Sequence, residues 1–495
     1  MSGIDAHLPA LQVLTPLLTA ALVVLLPART LAWAAATAAS FIAFAIASAL
    51  TLAVLGGQTL DYAMGSWPAP YGIALEVDSF SALLLLVITG ASSLALIGGR
   101  VSLNNQITED RQPYYFAAWL LALAGLCGIV VAGDAFNIFV FMEISSLASY
   151  ILVSGGPDRR ALPAVFKYLV MGTIGATFYL IGIGLIYMMT GTLNLHDMEL
   201  RIVEVADQRP VLAAAGFITV GLALKAAVFP LHVWLPNAYT WSPHITTTFL
   251  AACATKVALY VLLRFDFFVF QGNLVNHGMQ FAAFLMPLAV LGILVGSAVA
   301  MFERNVKRSF AFSSIAQIGY ILLGASFVTA TGLTAGIVHM FNHALAKGAV
   351  FLALAAFATI ATTTRLDDLS GIARRMPWTF VAFVIAGLSL IGVPGTAGFI
   401  SKWYLIVAAL EAGPLGIALV AVILISSLMA VVYVWRVVEV AAFGDPSEFD
   451  AASPPRALVV SVWIAAASNI GFGLVPELPV TLAKAASMQL LEHVL

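Results

Sequence analysis

Charge is what this chain has least of. Its 22 basic and 24 acidic side chains make 9% of 495 residues, against 62% hydrophobic. Soluble domains carry about 25% charge. No polar stretch here is long enough to build one, so residues 1–495 read as a single all-α transmembrane domain. The two cysteines, Cys127 and Cys253, lie in apolar runs, which excludes a disulfide framework and a thiolate metal site. Walker loops, a dinucleotide-binding glycine fingerprint, a cysteine ladder and facing haem histidines are all missing. No cofactor, no metal and no catalytic chemistry of its own are expected, and the net charge of −2 gives no reason to expect nucleic acid. Energy coupling must then come from an ion gradient or from partner subunits. The start, MSGIDAH, lacks a basic n-region, so the first apolar run is expected to stay as a helix.

What is present is a series of apolar runs of about twenty residues, some fourteen in all. They fall near Pro9–Pro27, Leu31–Leu55, Phe80–Gly98, Tyr114–Val131, Phe136–Val153, Leu162–Met189 and Val211–Phe229. The later ones are His244–Leu263, Gln280–Phe302, Phe310–Ala330, Leu333–Ile360, Trp378–Leu410, Pro414–Val440 and Ala457–Leu474. Loops with Arg29, Arg100, Arg159, Arg304, Lys307, Arg308, Arg365 and Arg436 alternate with loops poor in basic residues, where Arg201, Arg209, Arg264, Asp61, Glu76 and Asp78 fall. The positive-inside rule makes the basic side cytoplasmic and both termini external, in a bacterial inner membrane.

Proline and glycine interrupt two spans. Gly221–Lys225 runs into Pro230 and Pro236 in the seventh, and Ile391-Gly-Val-Pro-Gly cuts the twelfth. A lysine lies near each break. Broken helices in corresponding halves point to inverted repeats around a translocation path, here about 113–264 and 280–440. A weak likeness between Val257–Arg264 and Ala430–Val437 agrees with that division.

Four of the seven lysines, Lys225, Lys256, Lys347 and Lys402, sit deep in apolar runs, as does Glu143. An ionisable group at that depth costs about 2.5–3.5 kcal/mol to insert, so function is the default reading. Lysine, unlike arginine, can gain and lose a proton there. Glu143 and Lys225, each alone in its span, are expected to pair; the competing account is a static ion pair that orients helices. Lys256 is too far from either span end to snorkel easily. His339, His343 and Lys347 recur at i, i+4 and i+8, a stripe on one helix face along which protons can hop. Zinc fits this stripe poorly, since no third ligand is near; two satisfied core histidines are the plainer alternative. Lys402 follows the second break and suits a terminal relay. His232 and His244 flank the link between spans seven and eight, where they could feed protons or cap the loop.

Five ordered segments, GDAFNIFVFMEISSLASYIL, LKAAVFPLHVWLPNAY, SSIAQIGYILLG, HMFNHALAKGAVFL and GVPGTAGFISKWYL, resemble the antiporter-like membrane subunits. That family includes the D-type subunit of Mrp-type Na⁺/H⁺ antiporters and the proton-pumping subunits of respiratory complex I. The resemblance implies fourteen transmembrane helices, inverted five-helix repeats with helices 7 and 12 broken, and a central polar axis. It implies Glu143 as essential glutamate, Lys225 as its partner, Lys256 and Lys347 as central relay and Lys402 as terminal lysine, with H⁺ and Na⁺ as the ions and other membrane subunits as partners. The chain lacks a long lateral helix or extended tail after its last span, and it has lysine at 402 where one complex I subunit has glutamate. These departures favour the Mrp D-type over a complex I-like or hydrogenase-linked subunit. SPHITTT after Trp241 departs from the family's usual run and leaves His244 unassigned. A standalone transporter would need one or two charges around a cavity, and a scaffold would use its charges only for assembly.

Overall fold

The computed structural model describes residues 6–26, 28–56, 59–270, 281–361, 363–445 and 455–492. The expected span limits Pro27 and Gln280 lie outside them. The early helices are α1 (Leu8–Leu25), α2 (Arg29–Leu55), α3 (Ser79–Asn104), α4 (Gln112–Val131), α5 (Ala135–Ser154), α6 (Ala161–Thr190), the short α7 (Leu195–Ile202), α8 (Arg209–Ala226), α9 (Leu235–Trp241) and α10 (His244–Leu263). After them come α11 (Phe281–Phe302), α12 (Val306–Ser326), α13 (Ala330–Phe357), α14 (Ile372–Arg375), α15 (Pro377–Ile391), α16 (Ala397–Glu411), α17 (Pro414–Phe443), α18 (Arg456–Leu474) and α19 (Glu477–Leu491). Thirteen helices among the described residues are long and apolar enough to cross a membrane. The 15-residue α15 and α16 are each too short alone; the segment Asp367–Arg375 taken with α15, bent by 114° between them, brings the candidate spans to 14. The protein is a multi-pass helical membrane protein.

Thirteen to fourteen candidate spans agree with the all-α expectation, and two small elements add to it. A small antiparallel hairpin, β1 (Leu60–Ala63) with β2 (Ala74–Val77), links α2 to α3. The 15-residue α19 follows the last expected span.

Both breaks fall where proline and glycine place them. The α8 helix stops at Ala227, held left-handed at φ 57°, ψ 41°, a costly conformation for a residue with a Cβ. Trp234 stabilises the end by donating from its indole nitrogen to the Leu224 carbonyl at 2.9 Å. The α15 helix stops at Gly392, whose φ is 91°. A Cβ on Gly392 would lie 2.7 Å from Cδ of Lys402, so the left-handed turn and the passing lysine stem both call for glycine.

The central helices α10, α12 and α13 are buried around most of their circumference, which explains why they are apolar on every face. Basic loops gather on one side, where Arg29 pairs with Glu109 and Arg160 stacks on Trp241 at 3.8 Å. The hairpin and α7 lie on the other, joined by His196, which reaches Glu76 at 3.3 Å and Glu199 at 3.7 Å. Hydrogen bonds to Glu199 and Glu76 raise its pKa to about 10.

Arg264, expected in a loop, is buried instead, 8% exposed, at the start of a π-helical turn that extends α10. It pairs with Asp78, which also caps α3 by accepting from the amides of Phe80 and Ser81 at 3.0 and 2.9 Å. Burial pushes the Asp78 carboxyl up, but Arg264 and the Ser81 amide outweigh it and hold the pKa below the ordinary value. Because the folded pKa is depressed, the stability from this pair is present above the unfolded pKa of about 3.9 and is lost as pH falls through the folded value. Asp78→Ala leaves Arg264 buried without its ion-pair partner, with the Tyr260 hydroxyl at 3.0 Å as a remaining acceptor, and should lower stability by about 3–5 kcal/mol in thermal unfolding of the detergent-solubilised protein. An unchanged midpoint would mean that Arg264 has another counter-charge.

Candidate functional site

Lys225 occupies the last turn of α8, at the lip of the first break. Its ammonium donates to the Ser146 hydroxyl at 2.6 Å and lies 3.6 Å from Glu143 Oε1 on α5. The expected pair therefore forms, as a loose ion pair with a serine inserted beside it. Ser146 follows Glu143 by three residues and so shares its helix face; that spacing is the signal that could have found it. The Glu143 side chain is 30% exposed at the middle of α5, while that of Lys225 is 8% exposed.

A cavity of about 40 Å³ lies between Lys225, Ser146, Ser149, Tyr168 and the Ala254–Ala258 turn of α10, room enough for water. On α10, Lys256 is fully buried and donates to the Ala251 carbonyl of its own helix. Across from it on α13, His343 lies within electrostatic reach of both Lys256 and Lys347. Neither ring nitrogen of His343 has a hydrogen-bond partner among the described residues. Lys347, also fully buried, donates to the Phe310 carbonyl at 2.6 Å and to the Ser313 hydroxyl.

The histidine stripe continues to the second break. The rings of His339 and His343 are 6.2 Å apart and nearly parallel. His339 bonds Ser401 Oγ and Gln317 Oε1, both at 2.8 Å, so it is a satisfied core histidine and a link to the next lysine at once. Ser401 precedes Lys402, whose ammonium donates to the carbonyls of Leu390 and Ile391 at 3.0 and 2.8 Å and to Ser427 Oγ at 2.9 Å. Those carbonyls are the orphans left where α15 stops, and a helix C-terminus attracts a cation. The Tyr320 ring lies 5.0 Å from the same ammonium.

The nine expected residues thus divide. Glu143 pairs with Lys225, His343 is within electrostatic reach of Lys256 and Lys347, and His339 links His343 to Ser401, next to Lys402. His232 stacks on Phe229 inside the first break, with Nδ1 unpartnered. His244 opens α10 at the basic face, about 18 Å along the helix from Lys256. The short helix α9, not a loop, separates these two histidines.

Sequence reasoning misses Gln317, Ser313, Ser401, Ser427 and Lys307. Lys307 reads, with its neighbours, as loop charge. It is 2% exposed, in the first turn of α12, and donates to the Ser242 carbonyl at 2.6 Å. A lone amide in an apolar span is the signal for Gln317; nothing in the Arg304–Arg308 run distinguishes the one cation that turns inward.

The chain matches the family described as NADH:quinone oxidoreductase/Mrp antiporter, transmembrane, over residues 132–429. It is 40% identical over 438 residues to the N-type subunit of a NADH-quinone oxidoreductase from Desulforudis audaxviator, covering 88% of this chain and 86% of the relative. It is 32% identical over 351 residues to the D-type subunit of a Na⁺/H⁺ antiporter from Alkalihalophilus pseudofirmus, covering 70% and 69%. A chain of the solved Mrp complex of a Dietzia species superposes with a TM-score of 0.89 at 27% identity, covering 99% of this chain and 98% of that one.

A pair of buried opposite charges couples energetically. Glu143→Ala and Lys225→Ala should each destabilise the protein, and the double variant should cost less than their sum by about 0.5–3 kcal/mol in thermal unfolding. Strict additivity would mean that the 3.6 Å contact carries no energy.

Proposed function

The chain belongs to the NADH:quinone oxidoreductase/Mrp antiporter transmembrane family, and from that premise we propose that it is the proton-translocating, D-type subunit of a multisubunit monovalent cation/proton antiporter. The observation that carries the reading is the series of titratable groups Glu143/Lys225, Lys256, His343, Lys347, His339 and Lys402, with the Ser401 hydroxyl beside His339. A substrate pocket needs one or two charges; a row of them suits proton hops. Only N–H and O–H bonds break and form along such a row, with water in the 40 Å³ cavity joining Lys225 to the α10 helix.

The chemistry of the partners supports transfer. Lys256, Lys347 and Lys402 rest on neutral carbonyl and hydroxyl oxygens. Each can lose its proton without stranding a buried anion. Lys225 alone of the four faces a carboxylate within ion-pair distance among the described residues. Drawing Glu143 away from it changes the field on the whole row, because charges in a poorly polarisable interior titrate as a coupled set. One charge crossing 100 mV is worth about 2.3 kcal/mol, the scale on which such a contact can be made or broken.

Placement of the partners follows from exposure. A carboxylate 30% exposed at mid-span would face lipid in the isolated chain, and this supports another membrane subunit on the α5 face. The relatives named for Na⁺/H⁺ exchange support Na⁺ as the counter-ion. One broken span in each half, α8–α9 and α15–α16, supports inverted repeats over about 113–264 and 280–440. The basic face is cytoplasmic and both termini are external, in a bacterial inner membrane.

A second reading, a proton-pumping subunit of a quinone oxidoreductase-like complex, has the 40% identical oxidoreductase subunit in its favour. Purification of the intact complex separates the two: flavin and iron–sulfur absorbance belongs to the second, its absence with cation-driven proton movement to the first. In vesicles holding the assembled complex, Glu143→Ala and Lys225→Ala should each slow cation-dependent collapse of a pH gradient by on the order of 10²-fold. Wild-type rates at normal assembly would sink the function proposed for this row.

A further inference from the structure

The basic face contains a cavity of about 600 Å³, within the roughly 300–1,000 Å³ range of small-molecule sites. Its walls come from the α5–α6 link, the α9–α10 junction, the α11–α12 link and the segment after α13. Two carboxylates line it, and both are already engaged. Asp158 accepts from Arg160, whose guanidinium also stacks on Trp241, and Glu303 pairs with Arg308 at 3.2 Å. Three further cations on the wall, Arg304, Arg365 and Lys307, have no carboxylate within ion-pair distance among the described residues.

Exposed arginines alone are ordinary on a basic face. Two observations set this cavity apart. The arginines are strapped into adjoining positions: the Val306 amide donates to the Thr364 carbonyl and the Leu366 amide to the Arg304 carbonyl, both at 2.9 Å, with Asn305 and Arg365 bridged antiparallel. Like charges fixed near one another repel unless an anion lies between them. The floor, in turn, holds buried polar groups with donors to spare. Lys307 is 2% exposed, and of its three ammonium N–H groups one goes to the Ser242 carbonyl at 2.6 Å, its one acceptor among the described residues. His244 lies within electrostatic reach of Lys307, and its Nδ1 is buried without a partner among the described residues. Groups left so are costly, and the same ligand would relieve both.

We infer that this cavity binds a phosphate-bearing anion, whose oxygens accept from Lys307 and His244 at the floor and from Arg304 and Arg365 at the mouth. A guanidinium presents paired N–H donors that match phosphate oxygens, and an ammonium adds a point charge beneath them. A chloride or a lone carboxylate offers too few acceptors for four donor groups. The volume exceeds what a bare phosphate fills, which leaves space for the group that carries it. A soluble phosphate ester and the headgroup of an anionic phospholipid share this chemistry. The bound anion ties the α9–α10 junction to the α11–α12 link and the segment after α13, and so braces the basic face. No covalent step is involved. The site is separate from the Glu143–Lys225 pair and does not depend on the function proposed above.

The test uses the full-length protein in phosphatidylcholine nanodiscs, titrated with radiolabelled pyrophosphate at constant ionic strength. Saturable binding that excess sodium chloride does not abolish is expected, with the midpoint of thermal unfolding rising as ligand is added. The double variant Arg304→Gln/Arg365→Gln changes two exposed positions and should weaken binding by on the order of tenfold or more, as should Lys307→Met. In a second arm, phosphatidylglycerol is included in the discs, and lipid retained by the released protein is measured by native mass spectrometry. Pyrophosphate binding that the variants weaken assigns the site to a soluble ligand. Retention of phosphatidylglycerol that the variants lose, without pyrophosphate binding, assigns it to a lipid headgroup. Binding of neither, or binding that the variants leave unchanged or chloride abolishes, overturns the site.

Discussion

An ammonium group inside a membrane protein must find oxygen, and the rest of this fold is arranged around that need. Five lysines, Lys225, Lys256, Lys307, Lys347 and Lys402, are buried or nearly so, and each donates to a carbonyl or hydroxyl. In hydrocarbon every backbone carbonyl is normally engaged within its helix. Acceptors come from helix ends, from serine and threonine hydroxyls, and, for Lys256 and Lys347, from carbonyls inside helices, Ala251 of α10 and Phe310 of α12. Lys402 takes the carbonyls freed at the end of α15, and Lys307 takes the one at the end of α9.

Interrupting a span admits two of the charges, Lys225 and Lys402, at the ends of α8 and α15. The left-handed Ala227 and Gly392 end α8 and α15, and the chain resumes as α9 and α16. Each break is held by specific contacts, the Trp234 indole in one and the Lys402 ammonium in the other. Neutral acceptors have a further consequence. A lysine on a carbonyl leaves behind only neutral groups when its proton departs, whereas a lysine on a carboxylate leaves a buried anion. Glu143 beside Lys225 is the exception among the four central lysines, and it lies on the face where the chain is incompletely covered.

Much of this arrangement is legible in the residues alone. Hydrophobic runs of about twenty residues locate the spans, because bilayer thickness sets their length. Proline and glycine locate both breaks, and the i, i+4, i+8 stripe places His339, His343 and Lys347 on one face, because both follow from backbone geometry over a few residues. The hairpin at Leu60–Val77 and the helix Glu477–Leu491 are not legible: both are short, and neither has the apolar length that marks a span. Lys307 and Arg264 are misplaced for a related reason. A cation at a span end has the same local sequence whether its side chain turns outward to water or inward to Ser242 or Asp78.

Residue order alone thus dictates a multi-pass helical protein with two broken spans and a set of ionisable groups too deep for ordinary solvation. Those properties are local, set by apolar length, by the backbone limits of proline and glycine, and by the cost of charge in hydrocarbon. Which groups meet is settled by packing: Glu143 with Lys225 across α5 and α8, His343 with the His339 ring at 6.2 Å, and His339 bridging Gln317 and Ser401. Contacts between helices depend on rotation and depth relative to neighbours. Helices apolar on every face carry no pattern that reveals either, so the polar line through the protein comes into view only when the helices are packed.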